Sequence, residues 1–156
     1  MASTTFSGPV TSTNGFIGNV VGNITGAVAT TELTAASTLT AAQSGTILFL
    51  NSATEFATTL PTPAAGLSYT FIVKAAPSGA SYTVVTNGSA NIIKGVQVTA
   101  EDAGGSGDSG TADDTITFVD GQAVAGDMVT VISDGTSWFA YATTKLVAGL
   151  TFTQAS

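Results

Sequence analysis

"DMVTVISDGTSWFAYAT", residues 127–143, decides the fold of this chain. Its two runs, DMVTVIS (127–133) and SWFAYAT (137–143), are β-branched and aromatic and flank Asp134-Gly135. An Asp-Gly pair between such runs is a strong local hairpin signal, because glycine supplies the positive φ of a tight turn. Successive strand side chains point to opposite faces, so Trp138 faces one way while Phe139 and Tyr141 share the other. Phe139 and Tyr141 are the expected core pair, which leaves Trp138 beside the turn for an exposed role such as stacking on a sugar ring.

Outward from the hairpin, the same texture recurs in short pieces. TILFL (46–50), TTLP (58–61), YTFIVKA (69–75), YTVVT (82–86), TITFV (115–119) and LTFT (150–153) are β-compatible runs separated by turn residues. NIIKGVQV (91–98) reads as a strand with a glycine bulge at Gly95. Only TELTAASTLTAAQ (31–43) has a weak helical look. With no helices between strands, the expected fold is all-β: a single antiparallel β-sandwich or jelly-roll-like body over residues 32–156.

Residues 1–31 are different, and the expectation is an extended N-terminal arm. GNVVGNITGAV (18–28) sets glycine at 18, 22 and 26 among small, apolar and amide residues. Such a stretch gains too little by self-burial to offset its ordering entropy. Its glycines do allow close backbone approach to another surface.

Composition narrows the function classes. Charged residues make up 8% of the 156-residue chain and apolar ones 44%. About a quarter of an average domain is charged, so much of this surface is uncharged or covered by a partner. Ten carboxylates stand against Lys74, Lys94 and Lys145, a net charge of −7. Nucleic-acid affinity comes from Lys and Arg neutralising phosphates, so no nucleic-acid partner is expected. Neither histidine nor cysteine is present, which removes the usual general base, the thiolate nucleophile and the commonest metal ligands. No membrane span, secretory signal or cofactor is expected, and the glycosylation-type triplets at Asn23 and Asn87 read as chance.

Two motifs resemble chemistry. GDSG (107–110) matches a serine-protease nucleophile motif, but that serine needs a histidine base the chain lacks. The insert EDAGGSGDSGTADD (101–114) gathers Glu101, Asp102, Asp108, Asp113 and Asp114 without the spacing of a known calcium loop. It reads as a solvated acidic loop, with no metal expected. Pairing two of its acids as a glycosidase would need carboxyls fixed in a cleft, and a glycine-rich loop is a poor scaffold for that. The expectation is that the protein is not an enzyme.

The opening MASTTFSGPVTSTNGFIGNVVGNITGAV resembles the starts of structural proteins of tailed bacteriophages. The body, with LTAAQSGTILFLNSATEFATTLPTPAAGLSYTFIVKAA, NGSANIIKG, DTITFVDGQAVAGDMVTVISDGTSWFAYA and a closing GLTFT, resembles small phage head proteins read as decoration or cement proteins. The resemblance implies a virion structural protein on the capsid outer surface, made in the host cytoplasm. Its implied partners are the major capsid protein and further copies of itself, as a homotrimer suited to threefold positions. The arm then becomes the adhesive element, with Phe6, Phe16, Ile17, Val20, Val21 and Ile24 as apolar anchors and Gly22 allowing close approach. The alternative is a fibre or tail-associated module that binds a host-surface glycan around Trp138.

Overall fold

TILFL forms the strand its composition suggests, Thr46–Leu50, with Thr46, Leu48 and Leu50 buried and Ile47 and Phe49 on the opposite face. The computed structural model describes residues 28–100 and 112–154. Among them run eleven strands: β1 (Thr30–Leu33), β2 (Ser37–Thr38), β3 (Thr46–Leu50), β4 (Ala57–Thr59), β5 (Ser68–Val73), β6 (Tyr82–Val85), β7 (Ile93–Thr99), β8 (Thr115–Phe118), β9 (Met128–Ser133), β10 (Trp138–Thr144) and β11 (Leu150–Thr153). Residues 1–27 of the expected arm and the acidic insert as far as residue 111 lie outside the described residues, while Thr30 and Thr31, expected as the end of the arm, open β1.

The fold is all-β, in two sheets. The larger has six strands in the order β1-β3-β5-β9-β10-β7, and the smaller five in the order β11-β8-β6-β4-β2. From β1 to β6 the chain alternates between sheets, one strand in each. Thr30, Ile47 and Thr70 therefore stack in parallel in the larger sheet, and Ser37, Thr58 and Val84 in the smaller. A parallel pair needs a crossover connection, usually a helix; here a strand of the opposite sheet supplies it. The expectation of antiparallel sheets is thus corrected. The β5–β9, β9–β10, β6–β8 and β8–β11 ladders are antiparallel, whereas β10–β7 and the β1–β6 coils are parallel.

Two local expectations also change. The helical look of residues 31–43 gives way to β1, β2 and a single 3-10 turn at Ala41–Gln43. The Thr-rich start favours extended backbone, and Gln43 Oε1 accepts from the Thr40 N–H at 2.9 Å to close the turn. Gly95 forms no bulge, since the β10–β7 register runs unbroken from Trp138↔Ile93 to Thr144↔Thr99. Its glycine admits the Phe152 ring from β11 instead, because a Cβ there would lie 2.3 Å from that ring. The two sheets touch at this point.

One cluster of buried side chains draws on both sheets. Leu48, Tyr69, Phe71, Val129, Val131 and Trp138 come from the larger, and Tyr82, Val84, Ile116, Phe118 and Leu150 from the smaller. The tyrosines keep their hydroxyls paired, as burial demands: Tyr69 donates to the Thr40 carbonyl at 2.8 Å and Tyr82 to the Ser52 carbonyl at 3.0 Å. Asp127 is buried as well. Its carboxylate accepts from the Val124 N–H at 2.9 Å and the Lys145 N–H at 2.8 Å, tying the turn before β9 to the end of β10.

The alternation along β10 holds, but the face chosen for the core does not. Trp138, Ala140 and Ala142 are buried, Phe139 is half-buried and Tyr141 is exposed. The Trp138 ring lies 5.9 Å from that of Tyr69. A sugar cannot stack on a side chain with no exposed surface.

Candidate interaction surface

The hairpin fixes one corner of the surface. Asp134 Oδ1 accepts from the N–H groups of Thr136 and Ser137, each at 2.8 Å, and Gly135 takes φ 106°. This turn sets the register in which Ile132 pairs with Phe139 and Thr130 with Tyr141.

Continuing that register across the larger sheet places the outward side chains in rows. One row reads Glu32, Phe49, Ile72, Met128, Thr143 and Val98; the next reads Thr30, Ile47, Thr70, Thr130, Tyr141 and Val96; a shorter one reads Ser68, Ile132, Phe139 and Lys94. Val98 is 66% exposed, Tyr141 55%, Val96 50% and Ile132 43%. Thr70 and Thr130 hydrogen-bond each other at 3.0 Å near the middle.

The smaller sheet provides an internal comparison. Its outward rows are Thr151, Thr117, Thr83 and Ala57, then Thr153, Thr115, Val85 and Thr59. Threonine suits a solvated strand face, whereas Ile, Val, Phe, Met and Tyr in adjoining rows form a contiguous apolar patch. Patches of that kind mark interaction sites.

Charge sits at the margins of the patch. At the β1 margin Glu32 pairs with Lys74 and accepts from the Asn51 amide at 2.6 Å. Lys74 first, then Asn51, hold the Glu32 carboxyl below its usual range. Thr30, Thr31, Glu32, Phe49 and Lys74 line a shallow groove there. At the β7 margin Lys94 stands 5.4 Å from the centre of the Phe139 ring.

The residues singled out from sequence fall elsewhere. Phe6, Phe16, Ile17, Val20, Val21, Gly22 and Ile24 lie outside the described residues, as do Glu101, Asp102, Asp108 and the GDSG motif. Asp113 and Asp114, expected in a solvated loop, are buried. Asp113 exchanges backbone hydrogen bonds with Ile93 at 2.8 Å, and Asp114 N–H donates to the Thr153 carbonyl at 3.1 Å. Among the described residues no three His, Cys, Asp or Glu side chains gather as a metal set. The sheet face itself was missed, although its signal was present: TILFL and YTFIV are apolar at both parities, as in strands covered on both faces.

The hairpin yields a pH test. The Ser137 N–H first, then Thr136, lower the Asp134 pKa. A carboxylate depressed in the folded state adds stability above its unfolded pKa and loses it as pH falls through the folded value. Thermal melts are therefore expected to show stability falling as pH drops below the ordinary aspartate range, and Asp134→Asn to flatten that dependence. A variant profile parallel to that of the parent chain would refute this.

No family model matches the sequence, and no curated protein or solved structure matches it significantly.

Proposed function

We propose that the chain is a virion structural protein that decorates and stabilises a bacteriophage capsid by binding the major capsid protein, as a homotrimer on the outer surface. The observation that carries this reading is the charge-poor apolar outer face of the larger sheet, which nothing among the described residues covers. A protein that must lie against neighbours on a shell needs such a face, because burying it strands no unpaired ion. Residues 1–31 contain no charged residue, consistent with an arm that also lies against protein. We read the body as a β-sandwich whose first half is coiled rather than jelly-rolled. The glycan-binding alternative loses its main support with the burial of Trp138.

Electron microscopy of the virus particle that encodes this chain tests the proposal. Density for the β body is expected on the outer shell surface at threefold positions; density in the tail alone, or none, would overturn it. Phe16→Asp combined with Ile24→Asp should lower shell occupancy by more than about tenfold, since two apolar anchors are lost.

A further inference from the structure

We infer that the outer face of the larger sheet is the surface through which copies of this chain associate with one another. This rests on the self-association within the proposed function and not on the shell. The two sheets of one molecule show why the face needs covering. The smaller sheet turns out mostly threonines, with Ala57 and Val85 among them, while the larger turns out Ile47, Phe49, Ile72, Met128, Tyr141 and Val96 between Thr30, Thr70, Thr130 and Thr143. A water-facing sheet has no physical reason to carry apolar side chains at both parities.

Charge argues that the occupant is a second copy. At −7, two copies of this chain repel over most approaches. Two carboxylates among the described residues border the face, each beside a cation: Glu32 pairs with Lys74 at one margin, and Asp134 lies in the field of Lys94 at the other. Two of the three cations in the chain therefore border this one face. Among the described residues this face is thus locally neutral at both margins, and like copies meet on it without bare like charges facing each other.

The margins are also compatible. Glu32 lies on the β1 edge strand and Lys94 on the β7 edge strand. Sheets closing around a common axis bring the β7 margin of one copy to the β1 margin of the next. Each seam then sets Lys94 of one copy, with its own Asp134 nearby, beside the Glu32–Lys74 pair of its neighbour, two locally neutral groupings. Size sets the strength of the contact. Six strands at about 4.8 Å and five residues at about 3.3 Å give a plan area of roughly 500 Å², below the ~800 Å² per partner of a standard stable interface, so the association is expected to depend on concentration over the range tested.

The test is the solution mass of the full chain by light scattering at micromolar to 100-micromolar concentration, in Tyr141→Glu, Ile132→Lys and Thr117→Glu. Tyr141 and Ile132 lie on the apolar face, and Thr117 on the threonine face of the other sheet. The parent chain and Thr117→Glu are expected to be oligomeric. Tyr141→Glu and Ile132→Lys are expected to fall to monomer mass, with far-ultraviolet circular dichroism unchanged. A monomeric parent chain, or face variants that keep its mass, would overturn the inference. If the face variants keep the parent mass but no longer bind shells, the face belongs to the capsid protein and the decoration reading stands without this inference. If they dissociate while the parent chain never binds shells, the inference stands and the decoration reading falls.

Discussion

Replacing Trp138 with alanine is expected to lower unfolding stability by about 3–5 kcal/mol, the usual cost of truncating a large buried aromatic. The indole has no exposed surface and packs against Tyr69 at the hairpin end of the larger sheet. Removing it leaves a cavity bounded by a sheet held on both sides by ladders, which relaxes only in part. Urea unfolding measures the loss directly. If Trp138 served a sugar ring at the surface, the same substitution would leave the urea midpoint almost unmoved and abolish binding instead.

Asp127→Ala is the second large effect, at about 2–4 kcal/mol. The Asp127 carboxylate is nearly fully buried and accepts the Val124 and Lys145 N–H groups, one on each oxygen. Alanine strands both donors where water reaches them poorly. Asp127→Asn keeps a single carbonyl oxygen, so one of the two N–H groups would then face an amide NH₂. Its loss is expected to fall between zero and that of alanine, and chemical denaturation of both variants checks the order. Equal stability of all three chains would mean that the carboxylate does not hold the two segments together.

The strands were legible where local chemistry decides. TILFL and LTFT form strands over the expected residues, TITFV does so without Val119, and the Asp-Gly hairpin sits at its signal. Parallel pairing was not legible, because β3 finds β1 and β5 across intervening strands of the other sheet and no local residue encodes that neighbour. The core face of β10 was misjudged for a related reason. Alternation says that Trp138 and Tyr141 part company, but only the packed sheets say which side is inside. Gly95 was read as a backbone irregularity, whereas the constraint is a ring from a distant strand. The candidate surface left a trace in the apolar double parity of β3 and β5, which reads equally well as core until a second sheet is seen to cover only one side.

The alternation of β1 to β6 between sheets has a consequence for the order of events in folding. The β9–β10 hairpin joins residues close in sequence, and hairpins form in roughly 1–10 μs. Each parallel pair must instead wait for the chain to pass through the opposite sheet and return, so both sheets have to grow together. Folds dominated by such distant pairings take milliseconds to seconds. In that interval the strands that are apolar at both parities stand uncovered beside open edges, the situation in which chains aggregate. The alternation that builds the two sheets together thus leaves newly made chains vulnerable to one another, and yield at high expression should depend on temperature more steeply than stability alone would dictate.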